Sequence, residues 1–240
     1  MSEPVRPAHP GAGLTPDGRR MQVVTTYTRR GSRLTTGQQA AWDRRARDWL
    51  VPDSVVDEGL FDQERWFGRV APLVVEIGSG TGESVAAMAA ARPAYDVLAF
   101  EVWRPGVAQT FLHLEQSGAT NVRVVSVDAV WCLEHLFAEG QLAALWTFFP
   151  DPWHKKRHHK RRLVTPAFAA LAASRLAPGA DWRLATDWAD YAEQAREVLD
   201  AEPALEGGPT ARWDERPLTK FERRGLREGR AVTDFCYTRR

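Results

Sequence analysis

Five short apolar runs, each separated from the next by a segment of helical spacing, set the terms on which this chain can fold. They fall at 73–77 (LVVEI), 97–102 (VLAFEV), 122–127 (VRVVSV), 142–149 (LAALWTFF) and 182–185 (WRLA). Near-continuous apolar strands are buried on both faces, an arrangement that parallel sheets reach by covering each side with crossover helices. The spacers supply those helices. Residues 83–91 are alanine-rich, 105–117 are amphipathic, and 166–176 open on Pro166, which suits a first helical turn. A helix near 188–201, a Gly/Pro-containing loop at 203–209, a charged segment 211–230 and a terminal strand 231–238 complete an α/β pattern with no internal repeat.

Ahead of this pattern, Thr36 precedes a helix-forming stretch in which Ala40, Trp42, Ala46, Trp49 and Leu50 share much of one face, with Arg44, Arg45 and Arg47 elsewhere. Residues 1–20 hold four prolines and three glycines and cannot bury much apolar surface. Residues 1–30 therefore read as a flexible lead and 31–240 as one domain, and the 44% hydrophobic content of the whole chain can fill a sizeable core. Cys132 and Cys236 are too far apart for a metal knuckle or a Cys-x-x-Cys redox pair, and so few cysteines suit a reducing cytoplasm. The lead has no secretory apolar core and no run reaches membrane-spanning length, so a cytoplasmic protein without a membrane partner is expected.

The first apolar run ends in Glu76-Ile77-Gly78-Ser79-Gly80-Thr81-Gly82, a glycine-rich turn opening a helix. Gly78 and Gly80 let backbone approach a ligand. A dinucleotide fingerprint needs a small residue at 83, where this chain has Glu83, and that carboxylate repels a pyrophosphate. The same acidic surroundings suit a cationic ligand such as S-adenosylmethionine, whose carboxylate can still take N–H groups at the helix start. Glu101 ends the second strand, where an acid can accept both ribose hydroxyls, and Asp128 ends the third, within reach of an adenine. Each acid alone also reads as a cap or surface carboxylate. Three in a row at the carboxyl edge of a parallel sheet point to one adenosyl-methionine site.

Residues 149–162 (FPDPWHKKRHHKRR) place Asp151 between Pro150 and Pro152, which narrow its backbone, directly before Lys155, Lys156, Arg157, Lys160, Arg161 and Arg162. The formal net charge is only +1, so affinity for a polyanion must come from such a local patch. A solvated loop is the plain alternative. His154, His158 and His159 do not suit a metal among so many cations; RNA contact fits them better. Trp153 can stack on a base or serve as core packing.

With the glycine turn, the Phe-Pro-Asp-Pro-Trp-His-Lys stretch, Ala185-Thr186-Asp187-Trp188 and the tail Arg216-Pro217-Leu218-Thr219-Lys220-Phe221-Glu222-Arg223-Arg224-Gly225, the chain resembles the bacterial tRNA (guanine-N7-)-methyltransferases. The resemblance runs from about Arg33 to the C-terminus and includes Gly31 to Gln38; Leu218 and Trp103-Arg104 are modest departures from it. It implies a Rossmann-like class I methyltransferase with a mostly parallel seven-stranded sheet, helices on both faces and an N-terminal helical extension. It also implies methyl transfer from S-adenosylmethionine to N7 of guanine 46 in the tRNA variable loop. Carried over by position, it suggests Glu76, Gly78, Gly80, Glu101, Asp128 and Asp151 for the cofactor, with Asp151 also catalytic. Lys155, Asp187, Thr219, Lys220, Phe221 and Glu222 would bind substrate, and Arg157, His158, His159, Lys160, Arg161 and Arg162 would meet RNA. No metal and no obligate protein partner are expected.

Guanine N7 has a lone pair and no proton, so Asp151 is expected to stabilise positive charge on the purine rather than remove a proton. Asp187 reads equally as a second base-binding acid and as an N-cap for 188–201. Three rivals remain. Another amino-methyltransferase would use an Asp-Pro-Pro motif where this chain has Asp-Pro-Trp. An NAD-dependent oxidoreductase is disfavoured by Gly82 and Glu83, and a non-catalytic RNA-binding protein by the intact row of strand-end acids.

Overall fold

The computed structural model describes residues 26–27 and 31–240. The expected flexible lead otherwise lies outside the described residues. Strand residues alternate between two apolar layers. Val75, Ile77, Leu98 and Phe100 face one, and Val74, Val97 and Ala99 face the other. A strand with both faces buried needs this continuous apolar character, because successive side chains point to opposite sides.

The chain runs α1 (Thr36–Trp49), β1 (Leu50–Val51), α2 (Gln63–Phe67), β2 (Leu73–Ile77), α3 (Glu83–Ala91), β3 (Asp96–Phe100), α4 (Arg104–Ser117) and β4 (Val122–Val125). It continues through α5 (Ala129–His135), β5 (Leu142–Phe148), α6 (Pro166–Arg175), β6 (Leu176–Thr186), α7 (Ala189–Asp200), β7 (Leu205–Thr210), α8 (Lys220–Arg227) and β8 (Thr233–Arg239). The sheet order is β1-β4-β3-β2-β5-β6-β8-β7; every pair is parallel except β6–β8 and β8–β7. Helices α1, α3 and α4 cover one face, and α5, α6 and α7 the other.

The sheet has eight strands, not the expected seven. The extra one is β1, two residues that pair Leu50 with Val124 and Val51 with Val125 as the chain leaves α1. A Thr35–Gln38 capping box starts α1, and Trp42 and Trp49 seat it at 5.8 and 5.9 Å from the ring of Phe111 on α4. The expected loop at 203–209 is instead mostly strand, β7. Gly207, Gly208 and Pro209 are poor strand residues, but β7 is an edge, where a missing N–H costs little. Gly207 sits at φ +150°, and a Cβ there would meet the Cys236 carbonyl at 2.1 Å. Among the described residues no helix is long and apolar enough to cross a membrane.

Candidate active site

The turn after β2 is built on three left-handed glycines, Gly78 (φ 74°), Gly80 (φ 60°) and Gly82 (φ 76°). L-residues with side chains rarely adopt this conformation, and a Cβ on Gly82 would also meet Thr110 at 2.4 Å. The N–H groups of Gly78 and Ser79 both donate to the Phe100 carbonyl, which ties the turn to the end of β3. Glu101 completes the tie: Oε2 accepts from Gly80 N–H and Oε1 from Trp103 N–H, each at 2.7 Å. Glu101 thus shapes the glycine turn, and a carboxylate retains acceptor capacity beyond two such bonds.

Glu76 is buried at the end of β2, and its Oε2 has no hydrogen-bond partner. Burial, with a smaller contribution from the Glu101 charge, pushes its pKa up to about 8. An orphaned acceptor in a cleft wall is costly unless a donor or cation arrives. Ser79 Oγ, in the same wall, is likewise without a partner. Asp128 caps α5 by accepting Trp131 N–H at 3.0 Å and also lines the cleft, so its cap reading and its ligand reading are compatible.

Opposite this wall, β5 runs into the Pro-Asp-Pro stretch. The backbone turns left-handed at Phe149 (φ 53°) and Trp153 (φ 47°), conformations that cost on the order of 1–3 kcal/mol each for such residues. Both are held. Phe149 N–H donates to the Ala185 carbonyl at 2.7 Å and its ring packs 5.2 Å from Phe221. Trp153 donates its indole N–H to the Thr26 carbonyl at 3.0 Å under the guanidinium of Arg161, 3.7 Å from its ring. Between these two bends Asp151 is half-buried and faces the cleft. Asp187 follows β6 and pairs with Arg230 at 2.7 Å. It does not cap the next helix, whose N-cap position is Trp188. His154 stacks at a tilt on Trp188, 4.0 Å between centroids.

These elements enclose a cleft of about 600 Å³, a volume suited to a nucleoside-sized ligand. Its lining brings together Glu76, Gly78, Gly80, Glu101, Asp128, Asp151, Asp187, Thr219, Lys220 and Phe221. Lys155 is exposed outside the lining.

Two expected contacts are corrected. Glu222 is 1% exposed and turned inward, where its carboxylate meets Arg212 at 3.0 Å and the buried Arg216 at 2.6 Å; Arg216 also grips Asp234. Its oxygens are turned to these arginines, and it does not line the cleft. Arg162, 1% exposed, donates to the Pro152 carbonyl, Gln194 and Asp190, so in this structure it is enclosed and braces the Pro-Asp-Pro segment. The basic run is a 3-10 turn over Lys156–Arg161 that leaves Lys156, Arg157 and Lys160 exposed. His158 there has its pKa lowered, by desolvation and then by the surrounding cations.

Some structural partners carry no mark in the amino-acid sequence. Arg230 is one arginine in a charged tail with no signal to set it apart, and Arg216 opens the tail motif without a role of its own. Phe149 lies inside an apolar run, and Trp188 inside a motif that gives it no role of its own.

A family model described as "Putative methyltransferase" matches residues 70–235. The tRNA (guanine-N(7)-)-methyltransferase of Nocardioides sp. is 64% identical over 236 residues, 98% of this chain and 95% of that protein. That of Cutibacterium acnes is 48% identical over 229 residues, 90% of this chain and 83% of its own length. Among solved structures, the 16S rRNA methyltransferase KamB superposes with a TM-score of 0.54 at 18% identity, covering 75% of this chain and 94% of that one, a likeness of fold.

Proposed function

The chain belongs to the tRNA (guanine-N7-)-methyltransferases, and on that premise we propose that it transfers a methyl group from S-adenosylmethionine to N7 of guanine 46 in the variable loop of tRNA. One juxtaposition supports the reading: a buried, unpartnered carboxylate on one wall of the cleft and the proline-bracketed Asp151 on the other, with exposed cations leading outward from Asp151.

Glu76 fits the cationic end of the cofactor, since its orphaned oxygen lacks only a positive donor. The glycine turn, held by Glu101, leaves room for backbone contact, and Asp128 borders the same space. When bound, S-adenosylmethionine supplies an electrophilic methyl group. The remaining work is positioning and charge. Asp151 accepts hydrogen bonds from the N1–H and amino edge of guanine and faces the positive charge that develops on the purine, an interaction strongest in the transition state. The left-handed bends and the Arg162 brace fix its direction beforehand. Asp187, oriented by Arg230, is the second acid for the base. Lys156, Arg157 and Lys160 take phosphates, a sequence-independent contribution that holds the RNA over the cleft.

The test is direct. Unmodified tRNA incubated with the protein and S-adenosylmethionine, then digested to nucleosides, should yield N7-methylguanosine by mass spectrometry, and a transcript with adenosine at position 46 should yield none. Equal yield from both transcripts would move the target elsewhere; no methylation of either would reject the activity.

A further inference from the structure

Glu83 opens α3 immediately after Gly82, so its backbone belongs to the turn on the cofactor side of the cleft. Excluding a pyrophosphate does not exhaust what this acid does. Its side chain crosses to a segment 137 positions away: Oε2 accepts the backbone N–H of Lys220 at 2.8 Å, and Oε1 lies 3.2 Å from Nη2 of Arg223. Lys220 is the first residue of α8. One carboxylate therefore sits at the N-termini of two helices, its own and α8, where unsatisfied N–H groups and the helix dipole both favour negative charge. Thr219 satisfies another α8 donor, the Glu222 N–H at 3.2 Å. Next in line, Phe221 is 51% exposed and lays its ring on Phe149, two residues before Asp151.

We propose that Glu83 is a positioning residue that couples the two ligand sites, so that cofactor at the glycine turn and tRNA at the Thr219–Phe221 segment strengthen each other's binding. The proposal rests on the methyltransferase reading above. A ligand that orders the turn fixes the first residue of α3; that residue fixes the start of α8, and the start of α8 carries the aromatic ring that covers the Asp151 bend. Each ligand then lowers the ordering cost met by the other, and linkage requires both affinities to change by the same factor.

S-adenosylhomocysteine, which has no methyl group to transfer, and an unmodified tRNA transcript are the probes. In the wild type, saturating S-adenosylhomocysteine should tighten tRNA binding by about tenfold, and tRNA should tighten S-adenosylhomocysteine equally. In Glu83→Ala this factor should fall to near one, while S-adenosylhomocysteine alone binds within about twofold of wild type. Arg223→Ala, which keeps the Lys220 bond, should retain part of the coupling, and Glu83→Gln, which keeps an acceptor for that bond, should retain more than Glu83→Ala. Thermal unfolding of each variant checks that α8 remains folded on the sheet; if Glu83→Ala does not fold, Arg223→Ala decides. An uncoupled wild type, undiminished coupling in the variants, or a large loss of S-adenosylhomocysteine affinity without tRNA would overturn the proposal, the last by making Glu83 a direct cofactor ligand. N7-methylguanosine formation by the wild type is scored alongside: its absence counts against the parent reading, whereas a methylating but uncoupled wild type counts against Glu83 alone.

Discussion

The wall of the cleft after β2, β3 and β4 carries its acids within a residue or three of a strand end, each braced by backbone donors or left unpartnered. The wall after β5 and β6 draws instead on the Pro-Asp-Pro segment, α8 and Arg230, joined by ion pairs and two left-handed bends. On the first wall, position in the sheet places the acids in the cleft. On the second, similar side chains divide between ligand and scaffold: Arg157 is exposed while Arg162, five residues on, is enclosed. On the proposed assignment, a parallel sheet provides the cofactor wall almost as a by-product of its topology, whereas the substrate wall must be assembled from charges that hold one another.

The largest effect expected from that contrast is on stability. Arg216→Ala leaves Glu222 and Asp234 buried without their shared partner and should cost about 3–5 kcal/mol in urea unfolding. Among molecules still folded, cofactor affinity should survive better than tRNA affinity; equal loss of both would show that the walls are one unit.

Asp151→Asn keeps the size and removes the charge, so turnover should fall by about 100-fold while both affinities change much less. Single-turnover rates at saturating tRNA and cofactor check this, and a near-wild-type rate would hand the catalytic role on the substrate wall to Asp187.

The cofactor wall has its own signature in pH. Because burial raises the Glu76 pKa from 4.5 to about 8, the folded ligand-free protein holds a proton that the unfolded chain releases. Its contribution to stability is full below pH 4.5, declines as pH rises, and is gone above about 8. Cofactor binding runs the other way, since a cationic group needs the carboxylate: affinity should rise up to about tenfold per pH unit between 6 and 8. Calorimetry in buffers of different ionisation enthalpy should detect the released proton, and Glu76→Gln should flatten the profile. A flat profile in the wild type would place the cation elsewhere.

The smallest effect separates solvent-facing from structural cations. Replacing Lys156, Arg157 and Lys160 by alanine should flatten the slope of log tRNA affinity against log salt by about one unit for each phosphate no longer neutralised. Arg162→Ala should leave the slope alone and lower the unfolding midpoint. The reverse outcome would mean that Arg162 reaches RNA after all.

The α/β alternation, the five parallel core strands and the row Glu76, Glu101, Asp128, Asp151 and Asp187 are legible in the sequence because apolar periodicity and strand ends are local properties. β1 is not, because two residues carry no periodicity, and β7 is not, because its Gly-Gly-Pro composition is tolerable only at an edge that topology assigns. Glu222 and Arg162 mislead for one reason: a charge in a motif looks alike whether it meets a ligand or a buried counter-ion, and only the packing of distant segments decides. Arg230 has no local sign that it will orient Asp187.

The insertion of β8 between β6 and β7 has a consequence for the order of manufacture. Both neighbours are translated before the strand that joins them. As the chain emerges, β6 presents an open hydrogen-bonding edge, and β7 has no sheet partner until β8 arrives. At about 5–20 residues per second, the interval between Thr186 and Thr233 lasts on the order of seconds. Through that interval Arg216 has not yet met Asp234. A ribosome that stalls there holds a protein whose cleft acids have all been made but whose substrate wall cannot close, a strand edge exposed to chaperones and to other nascent chains.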